Sequence, residues 1–198
     1  MNIYGKYYET MVNVMSDIVR RIEDGSRQHG DKLYEHLNCR IKDDGSMQEK
    51  LIKHGKEPNT YNALRAVTDS IGLRIVCLFI DDVYENVNLI KSLPNCTVVQ
   101  EKDYIQNAKP NGYRSYHMIL DVETDAADVD GNAPGHYFVE VQLRTIAMDT
   151  WAALEHELKY KKNISNPELI AQELHRVANE LASCDVSMQT LRKIIRTL

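Results

Sequence analysis

The chain lacks any apolar run approaching membrane length, and no basic start followed by an apolar segment opens it. A bilayer span takes about 20 consecutive apolar residues, so the chain is expected neither to cross a membrane nor to be exported. Cysteine is scarce: Cys39, Cys77, Cys96 and Cys184 are scattered, without a C-x-x-C pair. This argues for reduced thiols in a cytoplasmic protein and against a disulfide or zinc framework. Basic residues are not in excess either. The formal net charge is −5, which removes the global positive field of general nucleic-acid binders; a local basic patch, and RNA with it, stays open without being indicated by charge. What is present is 198 residues, 43% apolar and 27% charged, the make-up of one globular domain with a sizeable core.

Periodicity divides the chain. Tyr7, Met11, Val14, Ile18 and Ile22 form a helical stripe over about 6–29. Residues 39–42 read as a short strand, and Ser46-Met47-Gln48-Glu49 as a capping box that starts a helix running to about His54. The nearly continuous apolar run 72–80 reads as a buried central strand, interrupted by Arg74. Such an arginine needs a partner or a cleft, and an ion pair with Asp69 is its structural reading. Asp81 and Asp82 are placed to cap the next helix, which ends before Pro94. Strands follow from Thr97 and from Tyr116, and the acidic Glu123–Gly135 connection between the later strands reads as a mobile hairpin loop rather than a calcium loop.

Two stretches carry chemistry. Lys109-Pro110-Asn111-Gly112-Tyr113-Arg114-Ser115-Tyr116-His117 is a turn-rich, basic, aromatic loop entering a strand. An aromatic ring there can stack on a base, and a guanidinium can grip phosphate. In Val139-Glu140-Val141-Gln142-Leu143-Arg144 the apolar residues face one way, and Glu140, Gln142 and Arg144 the other. Beyond them, Ala147, Trp151, Leu154 and Leu158 mark an amphipathic helix. After Pro167, positions 170, 174, 177, 181, 184, 188, 191, 195 and 198 keep a 4-3 apolar alternation, the seam of a coiled coil. Part of that seam is expected to pair with another helix, a second subunit being one source of it.

KPNGYRSYH, then VEVQLRT, then AMDTWAALEHELKYK, in that order, resembles the synthetase domain of RelA/SpoT alarmone synthetases, and the small stand-alone members most of all. The resemblance covers about residues 35–162. It implies an α+β fold, a mixed β-sheet flanked by helices and similar to nucleotidyltransferases, with long terminal helices (about 6–29 and 166–198) as oligomerisation elements. It implies transfer of pyrophosphate from ATP to the 3′-hydroxyl of GDP or GTP, with Mg²⁺ as cofactor and AMP as product. In that reading Arg40 and Arg74 sandwich the adenine, while Lys42, Ser46 and Lys50 contact the ATP phosphates. A helix N-terminus at Ser46 suits an anion independently. Asp69 and Glu140 hold the metal; Glu140 also accepts the hydroxyl proton and Gln142 orients the sugar. Tyr113 stacks on the guanine, with Lys109, Asn111, Arg114, His117, Arg144, Lys159 and Lys161 as further contacts of that nucleotide. The segment Gln100-Glu101-Lys102-Asp103 aligns with a charged motif that influences guanine-nucleotide preference in long relatives, but Gln100 stands where they carry arginine, so no preference follows.

None of the seven histidines precedes an aspartate, so the hydrolase half of long relatives has no expected counterpart. Small relatives of one branch are homotetramers, in line with the terminal seam. Two other functions stay open: a toxin that pyrophosphorylates tRNA or makes adenosine alarmones, and a silent nucleotide- or RNA-binding module.

Overall fold

The structure, a computed structural model, describes residues 2–30, 32–160 and 166–197, without the side chains of Lys159 and Tyr160. Five strands form one mixed sheet: β1 (His36–Ile41), β2 (Ile71–Cys77), β3 (Cys96–Asp103), β4 (Tyr116–Thr124) and β5 (Gly135–Thr145), in the order β1-β2-β5-β4-β3. Only β2 and β5 run parallel; the remaining pairs are antiparallel. Around the sheet lie α1 (Tyr8–His29), α2 (Asp44–Lys53), α3 (Thr60–Arg65), α4 (Ile80–Lys91), α5 (Ile146–Tyr160) and α6 (Pro167–Thr197). The architecture is the expected mixed sheet with flanking helices. Among the described residues no helix is long and apolar enough to cross a membrane.

Strand alternation gives the sheet two unlike faces. On one, Leu73, Ile75, Met118, Leu120, Val141 and Leu143 are buried. They share a core with Met11, Val14, Ile18 and Ile22 of α1 and Val83, Val87 and Ile90 of α4. The stripe on α1 is thus spent on the sheet. On the other face the register lines up two polar rows. Arg40 pairs with Gly72, Gly72 with Glu140, and Glu140 with Ile119. One step along, Asn38 pairs with Arg74, Arg74 with Gln142, Gln142 with His117, and His117 with Lys102.

Several boundaries differ from the sequence reading. Asp43, not Ser46, caps α2: its carboxylate accepts the Ser46 N–H at 2.9 Å, because an aspartate just outside the helix satisfies the free amides. The central strand stops at Cys77, and α4 begins at Ile80 with no side-chain cap. Asp81 and Asp82 do not cap it, because Phe79 holds the capping position and both lie inside the first turn; their carboxylates meet α6 instead, Gln189 donating to Asp81 at 2.6 Å and Arg192 pairing with Asp82. The β4–β5 connection is pinned rather than loose. Buried Asp128 accepts from the N–H groups of Asp130, Asn132 and His136 and pairs with Arg65 at 2.8 Å. Burial pushes its carboxyl up, but these donors outweigh that and bring its pKa down to about 2.

The seam of α6 divides. Ile170, Leu174, Val177 and Leu181 are half-buried, whereas Cys184, Met188, Leu191 and Ile195 are exposed. The residues buried on the body of the protein are Ala178, Asp185 and Gln189, a face that the apolar pattern alone does not reveal.

Candidate active site

The polar face of the sheet builds the site in three adjoining parts. The first is a cleft of about 190 Å³ lined by Arg40, Gly72, Leu73, Arg74, Glu140 and Gln142, with Asn38 and Cys39 at its edge. Gly72 leaves room here, since a Cβ added to it would meet nothing nearer than the Arg40 carbonyl at 4.0 Å. Arg74 does not pair with Asp69. Its Nη1 lies 3.5 Å from Asp149 in the first turn of α5.

The second part is a charged corner. Lys42, just past β1, and Lys50, on α2, both donate to Oδ2 of Asp69, which precedes β2. Lys42 is fixed from behind, its carbonyl accepting the Tyr4 hydroxyl at 2.7 Å. Burial raises the Asp69 carboxyl, but the two ammonium groups together outweigh it and hold its pKa below the usual range. Its Oδ1 is buried and receives no hydrogen bond. The two ammonium groups sit on the other oxygen, and Glu140 is close enough to feel the Asp69 charge, so this unpartnered hard oxygen is of the kind a divalent cation takes.

The third part is a closed circuit around Glu140. Arg144, nearly fully buried, donates through Nη2 to Tyr113 Oη at 2.6 Å and to Gln142 Oε1 at 2.8 Å. Gln142 Nε2 donates to Glu140 Oε2 at 3.0 Å. Tyr113 Oη lies 2.8 Å from His117 Nε2, and His117 Nδ1 lies 3.7 Å from Glu140 Oε1. Since Arg144 donates to the tyrosine oxygen, the phenol proton goes to Nε2, which leaves the histidine proton on Nδ1, facing Glu140. Both arms therefore carry donors toward one carboxylate. Burial, with the Asp69 charge, raises the Glu140 carboxyl, but His117 and Gln142 outweigh them and its pKa lies below the ordinary value.

The loop 109–117 is folded over this circuit. Lys109 Nζ sits 4.5 Å from the Tyr104 ring centroid and 4.7 Å from that of Tyr113, a cation–π arrangement. Asn111 donates to Glu155 of α5 at 2.6 Å. The Tyr113 ring also meets His117 and Trp151 edge-on.

The structure thus brings together Arg40, Lys42, Lys50, Asp69, Arg74, Lys109, Tyr113, His117, Glu140, Gln142 and Arg144. Ser46 stands in the first turn of α2 beside the charged corner. Arg114 is not in this set: it turns to the opposite side of the loop, against α6. Arg144, expected to neutralise phosphate, has its guanidinium committed to Tyr113, Gln142, Asp149 at 3.0 Å and Ser115 at 3.4 Å. The Lys159 side chain and Lys161 lie outside the described residues. Sequence reasoning missed Asp149, which holds both Arg74 and Arg144, and Tyr104, which flanks Lys109. An acid in the first helical turn after Arg144, and an aromatic just before a basic loop, were the available signals.

A family model described as a region found in RelA / SpoT proteins matches residues 39–165. The chain is 38% identical over 165 residues to the GTP pyrophosphokinase YwaC of Bacillus subtilis, an alignment spanning 83% of this chain and 77% of that protein. It is 34% identical over 158 residues to the GTP pyrophosphokinase YjbM of the same organism, spanning 80% and 72%. Its structure superimposes on the small alarmone synthetase 1 from Bacillus subtilis bound to its product pppGpp with a TM-score of 0.78, at 29% identity, over 96% of this chain and 95% of that one. A GTP pyrophosphokinase family protein from Streptococcus pneumoniae gives a TM-score of 0.80 at 28% identity, over 97% and 94%. A polar sheet face, a lysine-flanked carboxylate and a tyrosine-bearing loop thus stand together in a chain that matches these proteins over most of its length, and the chain belongs to the RelA/SpoT family as one of its small alarmone synthetases.

Proposed function

We propose that this protein is a cytoplasmic GTP pyrophosphokinase that transfers pyrophosphate from ATP to the 3′-hydroxyl of GDP or GTP and releases AMP. The observation that carries this reading is the position of Glu140, which lines the Arg40–Arg74 cleft on one side and closes the Tyr113–His117 circuit on the other. A carboxylate that lines the cleft and is also held from the tyrosine-bearing loop suits joining two nucleotides.

In this reading Arg40 and Arg74 clamp the adenine, and Lys42 and Lys50 turn from Asp69 to the phosphates, with the Ser46 hydroxyl beside them. Asp69 and Glu140 would hold Mg²⁺, which when bound offsets the charge of the triphosphate. Tyr113 stacks on the guanine after Lys109 leaves its ring for a phosphate. Glu140, kept anionic by its two donor arms, takes the 3′-hydroxyl proton, and Gln142 orients the ribose. Most of the gain comes from holding hydroxyl and phosphorus in line. Arg144 serves chiefly by fixing Tyr113 and Gln142. The exposed Met188, Leu191 and Ile195 support a homo-oligomer, a tetramer by likeness to small relatives, assembled through α6.

The test is a transfer assay with γ-labelled ATP, Mg²⁺ and GMP, GDP, GTP, ATP or bulk tRNA offered separately. Label on GDP or GTP with release of AMP is the expected outcome. Label on tRNA alone, or on no acceptor, refutes the proposal.

A further inference from the structure

We infer that Asp185 of α6 is a positioning residue for the acceptor half of the site, holding the loop and the end of β5 in register with each other; this rests on the assignment of Tyr113 to acceptor binding given above. Asp185 is 2% exposed, halfway along a helix whose other acids lie at the surface. Its Oδ2 accepts the Thr145 hydroxyl at 2.6 Å. Its Oδ1 and Nη1 of Arg114 are both buried without a hydrogen-bond partner, and both residues line one small cavity with Gly112, Trp151 and Ala178. A buried carboxylate or guanidinium alone is costly, and here each supplies the countercharge of the other. Burial raises the Asp185 carboxyl, and Thr145 and Arg114 oppose that rise.

The two residues that Asp185 engages are the chain neighbours of the two that anchor the circuit. Arg114 follows Tyr113, and Thr145 follows Arg144. Successive side chains in extended backbone point to opposite sides, so Tyr113 and Arg144 face the cleft while Arg114 and Thr145 face α6. One carboxylate thereby fixes the spacing between Tyr113 and Arg144, whose 2.6 Å hydrogen bond holds the circuit together. Two further contacts brace the same seam: Trp151 Nε1 donates to the Leu174 carbonyl at 2.8 Å, and Gly112 lies against Ala178.

The test compares Asp185→Asn, Arg114→Gln and the double variant in the transfer assay, alongside emission from Trp151, the single tryptophan, in the nucleotide-free protein. Asparagine can still accept from Thr145 but leaves Arg114 without countercharge. Each single variant is expected to raise the acceptor KM about ten-fold, the equivalent of about 1.4 kcal/mol, with the ATP KM nearly unchanged. Each should also shift Trp151 emission to the red. The double variant, which buries no unpaired charge, should be impaired no more than either single variant. A loss in the double equal to the product of the two singles would make Arg114 a direct ligand and overturn the inference. So would equal rises in both KM values, or no change in either. If the unaltered enzyme transfers to no acceptor, the functional assignment fails by itself, and unchanged Trp151 emission in Asp185→Asn still overturns the coupling. Should that variant not fold, Thr145→Val removes the other partner at nearly constant volume and carries the same expected split.

Discussion

Gly112→Ala is the substitution whose consequence the structure sets most narrowly. Gly112 adopts φ +90°, a left-handed conformation that costs an L-residue about 1–2 kcal/mol. A methyl group there would stand 2.5 Å from Ala178 Cβ, and carbon atoms rest at about 3.5–4 Å, so loop or helix must yield by about 1 Å. The turn cannot absorb this locally. Gly112 N–H donates to the Lys109 carbonyl at 2.8 Å, and Lys109 N–H donates to the Tyr113 carbonyl at 3.1 Å, so Tyr113 moves with the turn. A stability loss of about 2 kcal/mol lowers Tm by about 4–8 °C for a domain of this size. A displacement of about 1 Å at a positioned group costs about 100-fold in rate. The expected outcome in steady-state transfer kinetics is a fall of about 100-fold in kcat/KM for the acceptor, with ATP affinity retained because Arg40 and Arg74 stand on β1 and β2. Adding Ala178→Gly should recover the steric part and leave the backbone part. Near-normal acceptor kinetics in Gly112→Ala, or no recovery in the double variant, would refute this reasoning.

Glu140→Gln should reduce transfer by about 100-fold or more while equilibrium dialysis still detects ATP binding, because the amide keeps the shape but cannot take a proton. Arg144→Lys should impair nearly as much as Arg144→Ala, since one ammonium cannot span Tyr113, Gln142 and Asp149 as the planar fork does; full rescue by lysine in the transfer assay would show that charge alone matters. Asp128 contributes stability with a defined pH window. Its folded pKa of about 2 lies below the ordinary 3.8, so the contribution is present above about pH 4 and is lost as pH falls through about 2. Acid unfolding followed by Trp151 emission should lose part of its steepness in that window in Asp128→Asn, and an unchanged acid limb would contradict the assignment. Leu191→Glu should reduce the sedimentation coefficient with little change in Tm, since that side chain is exposed on α6; an unchanged coefficient would remove this face from any interface.

The sequence by itself determined most of the secondary structure and which polar side chains share one face of the sheet. Period 3.6 in α1 and period 2 in β5 follow from which side chains must leave water, and Glu140, Gln142 and Arg144 were legible as one polar face for the same reason. Local cues resolved less well where two candidates competed, as at Asp43 and Ser46, because a cap is chosen by backbone geometry as well as residue type. Partnership was decided by tertiary structure alone. Asp69 pairs with Lys42 and Lys50 rather than Arg74 because the parallel pairing of β2 with β5 sets Arg74 beside Gln142 and within reach of Asp149. Arg114 faces α6 although its neighbour Tyr113 faces the cleft, and Asp185 lies under the loop although 71 residues separate it from Arg114. Periodicity records which way a side chain points along its own element, whereas what it meets there depends on sheet order and helix docking, which are long-range and leave no local pattern.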